Sequence, residues 1–199
     1  MNSEQQAEIV RLIREAQARS RGYADFFLWS TDRDLEEWGV TTALAESMSV
    51  RGEPSLSDIK SRGRQSDPPD CEAKDAEAKR VAIEVTELVD GLAIHHHKKS
   101  IAAGVAPEWA EWSQEKFLAQ LSSRLDEKDK RFPHLKDAPY PDGYFVLVHT
   151  DESELRKEVV AVFLEGFVAK VQHIKRAFLL LSYDPSVEMC PYFEVRLGA

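Results

Sequence analysis

The sequence has little cysteine and no long apolar run. Only two cysteines, Cys71 and Cys190, occur among 199 residues, and their spacing fits neither a disulfide framework nor a metal-binding motif. Apolar runs such as residues 177–181 fall far short of the roughly 20 residues that span a bilayer. Residues 1–8 lack the apolar region of a signal peptide. We therefore expect a cytoplasmic protein.

Several nucleotide and hydrolase motifs are also absent. The sequence contains no Gly-rich phosphate loop, no Gly-x-Ser-x-Gly elbow and no dinucleotide fingerprint, which argues against nucleotide hydrolysis and serine-dependent hydrolysis. Basic residues are not in excess either. The formal net charge of −9 disfavours a protein that coats nucleic acid through bulk electrostatics, although it is compatible with a local basic groove.

What is present is the composition of an ordinary globular protein, with 43% hydrophobic and 31% charged residues. A chain of this length buries enough surface to form a core without a metal or disulfide. We predict a single α/β domain over residues 1–199. The sequence of residues 21–66 does not show clearly which helices or strands form there.

Hydrophobic periodicity predicts the main elements. Helices are expected over residues 3–19, 113–130 and 153–171, and strands over residues 80–88, 144–149, 177–183 and 192–197. Residues 52–70 are rich in Gly, Pro and Ser and are expected to be irregular. This order predicts a mixed central sheet flanked by helices.

Glu84 lies in the middle of the apolar strand predicted over residues 80–88. A buried strand seldom carries a carboxylate unless its desolvation is compensated, and a divalent cation is one such compensation. Because Mg²⁺ is usually held by one or two carboxylates together with water and phosphate oxygens, Asp70 and Glu84 form a plausible minimal site. Alternatively, Glu84 forms an ion pair with a neighbouring arginine or lysine. Asp70 is then an ordinary turn residue that follows two prolines.

The same residues resemble a known motif. Pro69-Asp70, thirteen intervening residues and then Glu84-Val85-Thr86 are similar to the motif of the PD-(D/E)xK, or restriction-endonuclease-like, nuclease superfamily. The predicted elements over residues 3–183 resemble its core in outline. The resemblance implies a restriction-endonuclease-like α/β core. It also implies Mg²⁺ or Mn²⁺ held by Asp70 and Glu84, and hydrolysis of phosphodiester bonds in DNA.

The resemblance implies further acidic residues at the site. In this superfamily an acid from the first helix sometimes joins the metal ligands, and Glu15 or Glu8 would take that part here. The auxiliary acid is expected to be either Glu87 or one of these N-terminal glutamates. Members of the superfamily often act as dimers, so a homodimer is a further expectation, although the sequence identifies no interface.

The motif lysine of the superfamily falls at Thr86, which cannot carry a positive charge. Thr86 projects to the same side of the strand as Glu84, because the side-chain period of a strand is two. Members are known in which the lysine comes from another element, so Lys98, Lys99 and Lys116 are candidates. Whether a lysine reaches the pocket between Asp70 and Glu84 separates a nuclease from two alternatives. These are an inactive relative that binds nucleic acid or protein, and a structural helper protein.

His95, His96 and His97 form the other conspicuous feature. Imidazoles are common zinc ligands, but three consecutive residues cannot all face one ion in regular structure. Because two lysines follow directly, we expect a solvent-exposed or phosphate-facing loop here.

Overall fold

The computed structural model of the chain describes Glu8, Arg11, Phe27 and residues 33–102, 111–141 and 143–198, with only the backbone of residues 97, 98, 101 and 102. The helix predicted over residues 3–19 therefore lies largely outside the described residues. Glu8 and Arg11 are both helical and form an exposed ion pair. No helix in the described part of the chain is long and apolar enough to cross a membrane.

The described residues form four helices and eight strands. The helices are α1 (Arg33–Val50), α2 (Gly91–Ala102), α3 (Gln114–Asp129) and α4 (Lys157–Phe163). The strands are β1 (Ser57–Ser61), β2 (Cys71–Lys74), β3 (Arg80–Glu87), β4 (Tyr144–Thr150), β5 (Ala169–Lys170), β6 (Ile174–Leu181), β7 (Tyr192–Val195) and β8 (Leu197–Gly198).

Six of the strands form one mixed sheet in the order β1-β2-β3-β4-β6-β7, and β5 pairs with β8. The pairs β1-β2 and β2-β3 are antiparallel, whereas β3-β4 and β4-β6 are parallel. Helix α3 connects β3 to β4, as parallel neighbours require a crossover. The predicted α/β fold with a mixed central sheet is thus confirmed.

Hydrophobic cores lie on both faces of the sheet. Helix α1 packs on one face, where it buries Val40, Leu44 and Met48, and α3 packs on the other. Successive residues of β3 alternate between these cores, so that Ile83 faces the α1 side and Ala82 the α3 side. Glu84 is two residues from Ala82, so its side chain projects from the same face of the sheet, toward α3.

Several elements agree with the sequence. Strands β3, β4, β6 and β7 lie within or near the predicted ranges, and α3 matches the helix predicted over residues 113–130. The Ser113 side chain accepts a hydrogen bond from Lys116 N and so caps the start of α3.

Two predictions of irregular or loop structure are wrong. Residues 52–70 contain the edge strand β1, which pairs with the unpredicted strand β2. The histidine segment belongs to helix α2 rather than to a loop. Asp90 Oδ1 accepts hydrogen bonds from the backbone N–H groups of Leu92 and Ala93, which favours a helix start at this point.

The long helix predicted over residues 153–171 is also wrong, because α4 covers only Lys157–Phe163. A turn follows in which Gly166 has a φ of 73°, and β5 comes next. Phe167 and Val171 still pack on the same core as Phe163. The helical spacing of these apolar residues is therefore satisfied by a turn and a strand.

Candidate metal centre

Asp70 and Glu84 lie together, as the sequence predicts. Asp70 lies just before β2 and is 3% exposed, and Glu84 lies in the middle of β3 and is 0% exposed. Asp70 Oδ2 accepts a hydrogen bond of 2.8 Å from Val85 N, which fixes the loop carboxylate against the strand. The two strands thus hold both carboxylates beside each other in a buried setting.

Asp67 completes an acidic triad with these residues. One carboxylate oxygen from each of Asp67, Asp70 and Glu84 lies within 4.8 Å of the other two. Carboxylate oxygens are the ligands that Mg²⁺, Mn²⁺ and Ca²⁺ prefer. Glu84 Oε1 is buried and has no hydrogen-bond partner among the described residues. An unpartnered buried carboxylate oxygen fits a metal ligand, so this triad could bind a metal ion.

A lysine also reaches this pocket. Lys128, in the last turn of α3, donates from Nζ to Glu84 Oε2 at 2.5 Å and to Asp70 Oδ2 at 3.1 Å. Its side chain is only 9% exposed. The backbone of Lys128 is held by Tyr144, whose hydroxyl donates to Lys128 O at 2.8 Å. The end of α3 is therefore fastened to β4 where the lysine enters the site.

Two arginines border the triad on other sides. Arg131, two residues beyond α3, contacts Glu84 Oε2 at 3.1 Å through Nη1 and bonds Asp67 through Nη2. Arg33, at the start of α1, lies 2.5 Å from Glu37 and 3.6 Å from Asp70.

The electrostatics of the carboxyl groups differ. Burial would raise the pKa of Asp70, but the Lys128 charge, the Val85 N–H bond and Arg131 together lower it below its ordinary value. Burial dominates at Glu84, whose pKa is raised despite the same lysine. At Glu37, burial and then the charge of Asp70 raise the pKa to about 7 against the effect of Arg33.

A narrow cleft opens beside the triad. It is lined by Arg33, Asp34, Glu37, Gly63, Arg64, Asp67 and Asp70. The cleft has room for about one water molecule or ion. Solvent therefore reaches the acidic side of the site between α1 and the loop before β2.

The other predicted site residues lie apart from the triad or outside the description. Lys116 Nζ bonds Asp90 Oδ2 at 2.6 Å and lies over the Trp112 ring, so the structure does not bring it to Asp70 and Glu84. Thr86 is half-buried, two residues along β3 from Glu84. Lys98 belongs to α2, but its side chain lies outside the described residues, as does Glu15.

The remaining predicted residues are Glu8, Glu87 and Lys99. Glu8 is exposed and pairs with Arg11. Glu87 is half-buried at the end of β3, and Lys99 is exposed on α2.

Sequence reasoning missed Lys128, Glu37, Asp67 and Arg131. Lys128 and Glu37 could have been found from the sequence, because each is a charged residue in the buried apolar stripe of a helix. Lys128 continues the spacing of Phe117, Leu121 and Leu125, and Glu37 that of Val40, Leu44 and Met48. Asp67 and Arg131 lie in irregular segments and follow no pattern.

Comparisons with known proteins give no match to any family model, curated protein or solved structure.

Proposed function

We propose that this chain is a metal-dependent nuclease that hydrolyses phosphodiester bonds in DNA. In this proposal Asp67, Asp70 and Glu84 hold Mg²⁺ or Mn²⁺, and Lys128 takes the place of the motif lysine that is missing at Thr86. The observation that carries the proposal is the position of Lys128 Nζ between Asp70 and Glu84.

The order of elements supports the proposal. Helix α1 is followed by the antiparallel strands β1 to β3, the helices α2 and α3, and the parallel strand β4. This order is similar to that of the restriction-endonuclease-like core. In this proposal Asp70, just before β2, and Glu84, inside β3, correspond to the two acids of the superfamily motif.

The residues of the site suit phosphodiester hydrolysis. A divalent ion, when bound, supplies Lewis-acid chemistry at the phosphate. Lys128 provides a positive charge that is buried and already oriented, so it can stabilise negative charge developing on the phosphate without reorganisation. Glu37 has a pKa of about 7 beside the cleft and is suited to accept a proton from water near neutral pH.

A second function, a binding module without catalysis, is favoured by a different observation. Lys128 and Arg131 already pair with the buried carboxylates, so the fold needs no metal to compensate Asp70 and Glu84. In that case the triad is an internal ion-pair network. Metal binding distinguishes the two functions.

The test is calorimetric titration of Mn²⁺ and Mg²⁺ into the wild type, Asp70→Asn and Glu84→Gln, with folding checked by circular dichroism. Glu115→Gln is the matched control, because Glu115 is an exposed carboxylate on α3. We expect binding to the wild type and the control, and its loss in both site variants. Parallel assays with plasmid DNA, single-stranded DNA and RNA would then identify the substrate. If the wild type binds no metal with or without DNA, the nuclease proposal fails and the binding module is favoured.

A further inference from the structure

Arg131 holds two of the three carboxylates of the triad at once. Its guanidinium contacts Glu84 through Nη1 at 3.1 Å and Asp67 through Nη2. Its side chain is 31% exposed, whereas that of Lys128 is 9% exposed. Arg131 is therefore more accessible to solvent than the lysine is.

A divalent ion would weaken the bonds of Arg131 to these carboxylates. An ion bound by Glu84 and Asp67 would neutralise the charges that hold the guanidinium and would repel it. Arginine cannot respond by losing its proton, because the guanidinium remains charged in proteins. The released Arg131 side chain therefore keeps its positive charge and would be stabilised by another anion.

A phosphate group of the substrate is the anion that fits. The planar guanidinium presents paired N–H donors that match two phosphate oxygens, which the ammonium group of a lysine does not. Arg131 lies two residues beyond the end of α3, and its side chain is partly exposed, so the guanidinium can turn toward solvent once these ion pairs are broken.

We infer that Arg131 is a substrate-binding residue that a divalent ion releases from Asp67 and Glu84, so that metal binding and phosphate binding reinforce each other. This inference rests on the proposed nuclease function and adds a coupling between the metal and the nucleic acid. Removing Arg131 then has opposite effects on the two ligands. It removes a cation that competes with the metal, and it removes a contact to phosphate.

The experiment uses the full chain and the variants Arg131→Gln and Arg131→Lys, with Arg124→Gln as the matched control. Arg124 lies on α3 and pairs with Glu127, and its side chain is 35% exposed. Mn²⁺ affinity is measured by calorimetry. Affinity for a fluorescent DNA duplex is measured by anisotropy with and without Ca²⁺, a hard dication that also prefers carboxylate oxygens. Gels verify that the duplex stays intact.

We expect Arg131→Gln to bind Mn²⁺ several-fold more tightly than the wild type. The gain in DNA affinity caused by Ca²⁺ should fall by about tenfold, as expected when a charge-assisted hydrogen-bonded contact is lost. Arg131→Lys should give an intermediate gain, because it keeps the charge without the paired donors. Arg124→Gln should match the wild type in both measurements.

The inference is overturned if both Arg131 variants bind Mn²⁺ no more tightly than the wild type and keep the full Ca²⁺-dependent gain. If Arg131→Gln does not fold, Arg131→Lys decides alone through its Ca²⁺-dependent gain. These results differ from failure of the proposed function, in which the wild type itself binds no metal and cleaves no DNA. A wild type that binds metal and cleaves DNA, with Arg131 variants that behave like Arg124→Gln, overturns only the inference.

Discussion

Lys128 Nζ lies 2.5 Å from Glu84 Oε2, although 44 positions separate the two residues along the chain. The lysine comes from the last turn of α3 and the glutamate from the centre of β3, so two packed elements form the bond. The ammonium group also contacts Asp70 at 3.1 Å. One buried ammonium group therefore contacts both carboxylates.

We predict that Lys128→Met destabilises the metal-free protein by about 3–5 kcal/mol, because it leaves Asp70 and Glu84 buried without their main cation. Chemical denaturation in the presence of a chelator measures this loss. Mn²⁺ should then stabilise the variant more than the wild type, since a dication replaces the missing charge. Lys130→Met is the control. Lys130 is 71% exposed, and its replacement should leave the free energy of unfolding nearly unchanged.

A lysine placed at the motif position should replace Lys128 in part. We expect Lys128→Gln to lower the rate of DNA cleavage by about 10²–10⁴, as for loss of a group that acts on protons or charge in the transition state. Adding Thr86→Lys should raise the cleavage rate of this variant by at least about tenfold, because the side chains of Thr86 and Glu84 project from the same face of β3. Thr86→Met in the same background tests whether side-chain length alone is responsible. Equal recovery by both substitutions would contradict a role for the charge.

The raised pKa of Glu37 predicts a defined pH dependence of stability. The folded state binds a proton at Glu37 with a pKa of about 7, against an ordinary value of 4.5, so between these values the folded state holds more protons than the unfolded state. The contribution of Glu37 to stability is therefore greatest at low pH and decreases as the pH rises from about 4.5 to about 7. Glu37→Gln removes this decrease.

At pH 8, Glu37→Gln should stabilise the metal-free protein by about 1 kcal/mol, a value reduced from the full shift because solvent screens this partly accessible group. The melting temperature should rise by about 2–4 °C at pH 8 and stay unchanged at pH 4. Thermal unfolding with a chelator at both pH values measures the effect. A variant that is less stable than the wild type at pH 8 would show that the Arg33 ion pair outweighs the burial of Glu37.

Asp129 should stabilise the end of α3 that carries Lys128. Its carboxylate accepts backbone hydrogen bonds from Gln172, His173 and Ile174, which ties α3 to the start of β6. We expect Asp129→Ala to cost about 2–4 kcal/mol, because buried N–H groups lose a charged acceptor. Asp126→Ala is the matched control. Asp126 is exposed and pairs with Lys130, so its loss should cost less than about 1 kcal/mol.

Local sequence patterns identified the parts of the fold that depend on local chemistry. The apolar run of β3, the serine cap and apolar stripe of α3, and the strand β4 all have signals within a few residues. These local patterns gave wrong predictions where contacts between distant elements determine the structure. Residues 157–171 show one helical stripe, but the backbone leaves the helix after Phe163 while the later apolar residues still reach the core.

The sequence by itself predicted that Glu84 is buried, because an apolar strand surrounds it. Its pairing with Asp70 followed from the resemblance to a nuclease motif. Only the tertiary structure decided which cation reaches them. Lys116 and Lys128 lie on the same helix, but Lys116 pairs with Asp90 and Lys128 enters the pocket. The position of α3 across the sheet sets this choice, and that position depends on packing between distant elements rather than on the residues around either lysine.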